Sequence, residues 1–261
     1  MTNLQFVPSA IDAGGCVSNG WELVKRNYGM YLGISLIAMV LAGCIPCISL
    51  FLVGPILGGV YFVLLREMQG EPVDFGMMFK GFEKFVPLMV IGIIQSIPEI
   101  IGQVLRITVD LSRLGLTGGG RDTDFQFFQS SKPEFAIASG VLIIAAIVAL
   151  VIILFSVVWR VLLFFALPLA MEHDIGPMDA IKLSAKAATS NIGGLIVLFI
   201  FEFLIALLGV LALCIGVFFV IPIIYAANAF AYRQVFPRVQ QNFNMSPPPP
   251  AAYGSNLGSG M

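Results

Sequence analysis

The stretch at residues 192–232, IGGLIVLFIFEFLIALLGVLALCIGVFFVIPIIYAANAFAY, contains a single charged side chain, a glutamate. A transmembrane α-helix needs about 20 consecutive apolar residues, so this stretch is long enough to cross a bilayer twice. We interpret it as a helical hairpin, with helices over residues 192–212 and 215–233 and a turn near Leu213-Cys214.

A second apolar stretch, at residues 28–65, has the same form. It is too long for one span, and Pro46 and Pro55 interrupt it. We predict helices over residues 29–45 and 48–66 with a tight turn between them, so the chain contains two similar helical hairpins.

Two further segments lie between the hairpins. Residues 136–170 are strongly apolar, and their length as one helix would be about 52 Å at 1.5 Å per residue. Such a helix either tilts steeply or leaves the bilayer near Trp159 and Arg160 and continues along the interface. Residues 87–105 are interrupted by polar side chains but are also counted as a span. The sequence therefore predicts an all-α, polytopic membrane protein with about six transmembrane helices.

The composition supports this class. Of the 261 residues, 58% are hydrophobic and 11% are charged, and the net charge is −1. Soluble domains contain about 45–50% apolar and about 25% charged residues. So few ions cannot cover a globular surface, which excludes a soluble enzyme domain. A near-neutral chain without a basic patch is also not expected to bind nucleic acid. The partner that the composition implies is the lipid bilayer.

The positions of lysine and arginine predict the orientation. Neither hairpin turn contains either residue, so both turns are expected on the outer face, and six spans then place both termini in the cytoplasm. The expected organisation is a cytoplasmic N-terminal segment with an interfacial helix at residues 1–27, a six-helix membrane domain at 28–236 and a disordered, Pro-rich cytoplasmic tail at 237–261.

The two hairpins resemble each other in detail. Pro55 precedes Arg66 by eleven residues, and Pro222 precedes Arg233 by the same number. Each hairpin follows an asparagine and a short amphipathic stretch that we expect to lie in the membrane interface. A third interfacial helix is predicted over residues 70–85. The likeness indicates either a parallel duplication or only the general similarity of apolar hairpins.

Two blocks of sequence carry a resemblance to known proteins. In residues 54–82, a span containing Gly-Pro is followed by the turn GEPVDFG and the segment FKGF, and a second block over residues 167–184 begins with LPL. The chain resembles a broad group of uncharacterised bacterial multi-pass integral membrane proteins, related to the membrane domain found with glycerophosphodiester phosphodiesterases. The resemblance implies a membrane-embedded helical domain without a known catalytic centre, and it supplies no substrate.

Polar side chains at membrane depth are the candidate functional residues, because each is costly unless it is paired or hydrated. They are Gln95, Glu99, Gln103, Arg106, Arg160 and Glu202. The first four follow 4-4-3 spacing, which places them on one face of the third helix. That face either lines a water-filled path, with Glu99 as a proton or cation site, or forms a polar seam in which Glu99 or Glu202 pairs with Arg160.

Two glycine pairs indicate close helix packing. The pairs Gly29/Gly33 and Gly54/Gly58 both have GxxxG spacing, which lets helix backbones approach each other. We therefore expect helix contacts at both places.

The turn of the first hairpin contains a candidate thiol pair. Cys44 and Cys47 form a CxxC motif on the side expected to be oxidising, and such a pair can carry redox chemistry when one thiol has a lowered pKa. The turn has no cationic side chain that would lower it. The alternative is that both cysteines act as small hydrophobic residues.

The functional expectation follows from the absence of recognisable motifs. The sequence contains one histidine, no Gly-x-Ser-x-Gly nucleophile elbow and no metal-ligand spacing. We therefore expect a non-enzymatic protein without a cofactor or metal. The first hypothesis is a scaffold or accessory subunit of the bacterial envelope, with a protein partner or self-association through helix faces. The alternative is a small transporter or channel with a polar path along the third helix, centred on Glu99.

Overall fold

All regular structure observed in the chain is helical. The computed structural model describes residues 5–43, 46–116, 134–211 and 216–237 and, within these ranges, all side chains except those of 42–49 and 108–145. The helices are α1 (Ala13–Arg26), α2 (Tyr28–Gly43), α3 (Pro46–Glu67), a 3₁₀ helix (Phe75–Lys84), α4 (Phe85–Gln95), α5 (Ile97–Leu116), α6 (Glu134–Leu162), α7 (Ala166–Glu172), α8 (Pro177–Ser190), α9 (Ile192–Leu211) and α10 (Gly216–Val235). The predicted all-α architecture with two helical hairpins, α2–α3 and α9–α10, is confirmed.

Some sequence predictions concern residues outside these ranges. Cys44 in the first predicted turn, Leu213-Cys214 in the second and residues 238–261 of the predicted tail all lie outside the described residues.

Four helical segments are long and apolar enough to cross a bilayer. They are Leu50–Glu67, Ala146–Glu172, Ile192–Leu211 and Gly216–Val235. The bent pair Phe75–Gln95 and Ile97–Ile107 adds a fifth if it is one span, and the apolar part of α2, Tyr28–Leu41, is shorter than the others. The described residues thus form a polytopic membrane protein with four or five spans by length and composition. Six spans were predicted, and the difference is α2, which is too short to be counted.

The span predicted over residues 87–105 contains a bend that was not predicted. The chain bends by 49° at Ser96, between α4 and α5. Pro98 explains the bend, because proline has no N–H for the carbonyl of Ile94, four residues earlier, and its ring crowds that carbonyl. Sharp helix kinks usually have this cause.

The long apolar segment at residues 136–170 is also interrupted. Helix α6 ends at Leu162, close to the predicted exit at Trp159 and Arg160, and α7 begins after a short turn. The chain does not continue along an interface there, because six of the seven residues of α7 are buried in the protein. Pro168 lies in the first turn of α7, where a missing N–H breaks no helical hydrogen bond.

The core lies at one end of the bundle. It consists mainly of the C-terminal halves of α3 and α10 together with α7. Tyr232 and Phe165 are fully buried there, and the Tyr232 and Phe236 rings stack with centroids 5.3 Å apart. The described side chains of α6 and α9 are mostly apolar and exposed, as expected for helices that contact lipid.

The elements of the two hairpins repeat, but their packing does not. Helices α1 and α8 both have 14 residues and both end at an asparagine, Asn27 or Asn191, whose backbone N–H donates to a carbonyl three residues earlier. Nevertheless, α1 packs mainly on α10, whereas α8 packs mainly on α7 and α6. The similarity is therefore local.

Close backbone contacts occur around the second glycine pair. A methyl group at Gly54 would overlap the carbonyl oxygen of Leu88 in α4, and one at Gly58 would lie 2.6 Å from the Leu88 side chain. The first pair differs, because Gly33 faces only the ring of Phe75 and a methyl group at Gly29 would have nothing within 4 Å among the described residues. No helix contact is therefore observed at Gly29 within the described part of the chain.

The 3₁₀ helix also depends on glycines. It occupies part of the interfacial helix predicted over residues 70–85, and the Asp74 carboxylate accepts a hydrogen bond from the Gly76 N–H at its start. A methyl group at Gly59 or at Gly81 would overlap backbone atoms across the contact between α3 and this helix. Neither glycine belongs to a predicted GxxxG pair.

Replacing Gly54 with alanine should destabilise the fold. The added methyl group must displace the backbone of α4, and overpacking of this kind costs about 1–3 kcal/mol. At about 2–4 °C per kcal/mol, Gly54→Ala should lower the thermal midpoint in detergent by about 3–10 °C. Gly29→Ala is the matched control and should leave it unchanged or slightly raised, since alanine favours helix. An equal loss in both variants would contradict this packing.

Candidate functional site

The two helix interruptions border one cavity of about 700 Å³, which we call the central cavity. Its walls come from α3, the α4–α5 bend, the end of α6 with the following turn, α7, α9 and α10. It is lined by Val53, Leu57, Tyr61, Gln95, Ser96, Glu99, Val157, Trp159, Arg160, Phe164, Leu167, Phe199, Glu202, Phe203, Ala206, Ile221, Ile224, Tyr225 and Asn228. Four of the six predicted polar residues, Gln95, Glu99, Arg160 and Glu202, are therefore brought together.

The other two predicted residues lie elsewhere. Gln103 and Arg106 are exposed on α5 and do not line the central cavity. The continuous polar face predicted for the third helix is wrong, because the bend at Ser96 separates Gln95 on α4 from the residues on α5.

Two side chains tie the interrupted helices to each other. Trp159 Nε1 on α6 donates a hydrogen bond of 2.8 Å to the carbonyl oxygen of Ile94, the group that Pro98 leaves without its helical donor. In return, Gln95 Nε2 on α4 donates a hydrogen bond of 2.9 Å to the carbonyl oxygen of Leu163. Each helix thus supplies the donor that a carbonyl at the other interruption accepts.

A serine on α8 satisfies the remaining groups of the second interruption. The Ser184 hydroxyl is fully buried, accepts a hydrogen bond of 3.0 Å from the N–H of Phe165 and donates one of 2.8 Å to the carbonyl oxygen of Leu162. Free backbone groups at a helix end are costly when buried, so one side chain here replaces two missing helical hydrogen bonds.

Glu202 is the most enclosed carboxyl group of the central cavity. Its Oε1 atom is buried and has no hydrogen-bond partner among the described residues. Arg160 is near enough to interact with it electrostatically, but within the described ranges no ion pair shorter than 4.0 Å joins Arg160 to Glu202 or Glu99. Glu99 and Arg160 are exposed, so the negative group lies deepest.

Asn228, Tyr61 and Tyr225 also line the cavity and were not predicted. Asn228 is 8% exposed, its amide interacts with Glu202 and Tyr61, and its Oδ1 atom has no partner in the part of the chain that the structure describes. The rings of Tyr61 and Tyr225 are perpendicular, with centroids 6.2 Å apart. Asn228 could have been found by the same reasoning as Glu202, since it is an amide inside the helix predicted over residues 215–233.

A second polar cluster anchors the end of α7. The Glu172 side chain is 6% exposed, accepts a hydrogen bond of 2.6 Å from the Tyr232 hydroxyl and forms an ion pair of 2.9 Å with Arg233. Nearby, Lys84 pairs with Asp174 at 2.7 Å, and this hydrogen bond and the positive charge lower the pKa of the exposed Asp174 carboxyl. This cluster joins α7 to α10 and to the 3₁₀ helix, outside the central cavity.

The described side chains include one cysteine and no metal-ligand cluster. The predicted pair lies outside their range, since Cys44 is not described and neither is the side chain of Cys47. Cys16 on α1 is buried beside Gln234, and burial and the nearby Asp12 raise the pKa of its thiol to about 12. Among the described residues, no group of three His, Cys, Asp or Glu side chains could hold a metal ion.

Comparison with known proteins gives distant relatives of unknown activity. No family model and no solved structure matches the chain. It is similar to an uncharacterized protein of Mycobacterium tuberculosis and to one of Mycobacterium bovis, each 25% identical over 124 residues. The match covers 47% of this chain and 38% of each relative, so the chain spans well under half of the length of these relatives.

Removing the Ser184 hydroxyl should destabilise the wall of the cavity. Ser184→Ala leaves the N–H of Phe165 and the carbonyl of Leu162 without this partner, at a cost of about 1–3 kcal/mol. The thermal midpoint should fall by about 2–10 °C. The control is Ser190→Ala, because the Ser190 hydroxyl bonds only to Lys186 within its own helix, and it should shift the midpoint by less than about 2 °C. Similar midpoints for both variants would contradict the role of Ser184.

Proposed function

We propose that the protein is a small, non-enzymatic transporter whose ligand site is the central cavity. The observation that carries the proposal is the meeting of two interrupted helices, α4–α5 and α6–α7, at a cavity with buried, unpartnered polar atoms. Many secondary transporters bind their substrates where discontinuous helices face each other inside the membrane. This is the alternative hypothesis from the sequence, with a different centre.

The centre of the proposed path is Glu202 rather than Glu99. Glu99 lies on α5 at the exposed part of the cavity, whereas the Glu202 carboxyl group is enclosed by α3, α6 and α10 side chains. A buried carboxyl group without an ion pair is costly in an apolar environment, and such groups usually mark functional sites in membrane proteins. Among the described residues the Glu202 side chain interacts with the neutral Asn228 amide, which does not balance the charge of a carboxylate.

The proposed location is the cytoplasmic membrane of a bacterium, with both termini in the cytoplasm. Six crossings arise if α2 and the bent α4–α5 pair both traverse the bilayer, and the hairpin turns without Lys or Arg then face outward. The mycobacterial relatives support a bacterial origin. The proposed kinship with bacterial proteins related to the membrane domain of glycerophosphodiester phosphodiesterases rests on residues 54–82 and 167–184.

Two-sided access to the central cavity would test the transport proposal without a known substrate. Ala206 on α9 lines the cavity, whereas Leu208 on the same helix is 65% exposed outside it. In a chain whose four cysteines are replaced by alanine, Ala206→Cys should react with a membrane-impermeant maleimide from either face of oriented vesicles. Leu208→Cys is the matched control and should react from neither face, because lipid covers it. Reaction of Ala206→Cys from one face only, or from neither, would contradict transport by alternating access, in which the cavity opens to each face in turn.

A scaffold or accessory role remains a second proposal, supported by α6. Only 11% of the most apolar segment within Ala146–Glu172 is buried, so this helix offers a long apolar face to lipid, to a protein partner or to a second copy. Native mass spectrometry of the protein in lipid nanodiscs should then show a stoichiometric protein complex. A monomer that carries only lipid would contradict the scaffold role.

A further inference from the structure

Two side chains of the inner wall of the central cavity carry buried hydrogen-bond acceptors without donors. Glu202 Oε1 and Asn228 Oδ1 are both buried, and neither has a partner among the described residues. The two side chains are neighbours, because a side-chain hydrogen bond joins Asn228 to Glu202. A buried polar group without a partner is costly, and a ligand that brings donors to both atoms would remove that cost.

The charges around the cavity favour a cation at this position. The ionisable groups that line it are Glu99, Glu202, Arg160, Tyr61 and Tyr225. With both glutamates ionised, the carboxylates exceed the single guanidinium by one negative charge. The arginine is exposed, while the unpartnered Glu202 oxygen is buried. An anionic ligand would bring further acceptors to this wall and leave both oxygen atoms without donors.

The remaining lining is apolar and aromatic. Trp159, Phe164, Phe199 and Phe203 join the two tyrosines around the same space. Aromatic faces attract cations and also pack against apolar groups. A cavity of about 700 Å³ lies within the range of about 300–1,000 Å³ found for small-molecule sites.

We propose that the central cavity binds a protonated primary amine with an apolar or aromatic body, its ammonium group donating to Glu202 Oε1 and Asn228 Oδ1. The body of the ligand would pack on the aromatic lining, and the ammonium group would hold Glu202 as a carboxylate. This inference names the ligand class of the site and rests on the proposed function for its transport role. Equilibrium binding can be measured independently of transport.

The test uses the full-length protein in phosphatidylcholine nanodiscs and three probes of similar size. They are 2-phenylethylammonium, the neutral 2-phenylethanol and the anionic 3-phenylpropanoate. The chain has two tryptophans, and Trp159 lines the cavity, so fluorescence of Trp21→Phe protein reports on binding there. We expect saturable binding of the ammonium probe, at least tenfold tighter than binding of either other probe. Nanodiscs without protein provide the correction for partition into lipid.

Two variants locate the ammonium group. Glu202→Gln keeps the size of the side chain but removes its charge, and Asn228→Leu removes the second acceptor, so each should weaken binding of the ammonium probe at least tenfold. The control is Glu22→Gln, a change of the same kind at an exposed site on α1, which should bind as the parent protein does. The thermal midpoint of each variant shows whether it is folded. If a variant does not fold, the comparison of the three probes on the parent protein still tests the proposal.

The outcomes separate this inference from the transport proposal. Equal binding of the three probes, no binding of the ammonium probe or unchanged binding by folded Glu202→Gln and Asn228→Leu proteins would overturn the amine site. Any of these results combined with two-sided labelling of Ala206→Cys would leave transport supported with another ligand class. Amine binding without two-sided labelling would support the site and contradict transport.

Discussion

Backbone N–H and C=O groups in a bilayer must find partners inside the protein, because hydrocarbon offers none. Proline interrupts the helical hydrogen bonding at Pro98, and a second interruption precedes Pro168. Trp159, Gln95 and Ser184 donate hydrogen bonds to backbone carbonyls at these interruptions, and the Ser184 hydroxyl also accepts one from a backbone N–H. The two interruptions therefore depend on each other, since each supplies a donor to the other. If both helices were unbroken, their backbone groups would be paired within each helix and would need no partner from a neighbouring helix.

The same exchange explains the chemical character of the central cavity. Trp159 and Gln95 line it, and the N–H groups that they present are used by backbone carbonyls. Glu202 Oε1 and Asn228 Oδ1 have no hydrogen-bond partner in the described chain. One donor each from Trp159 and Gln95 is thus used by the fold, while the two buried acceptors have none among the described residues. A ligand site with spare acceptors and aromatic walls discriminates by charge as well as by shape.

Composition and segment length were sufficient to predict the class, the two hairpins and the amphipathic helices before them, because these properties depend on local sequence. The bend at Ser96 was not predicted, although Pro98 is visible in the sequence, because the partner of the freed carbonyl, Trp159, lies far away along the chain. Residue spacing along a single helix likewise predicted that Gln103 and Gln95 share one face, whereas the bend at Ser96 separates them. Asn228 could have been found as an amide inside a predicted apolar helix, but its contact with Glu202 depends on the packing of α9 on α10.

Because the two hairpins pack unequally, the side chains are densely packed at one end of the bundle and sparsely packed elsewhere. At the core end, α1 covers α10 through Gly20, where a methyl group would lie 2.9 Å from the Ala227 nitrogen, while α3 is covered by the 3₁₀ helix and α4. The described parts of α6 and α9 bury few side chains, although both helices form walls of the central cavity. Segments with few buried contacts open at low free-energy cost. Any movement that admits a ligand is therefore expected in α6 and α9, with α3 and α10 held in place by the core.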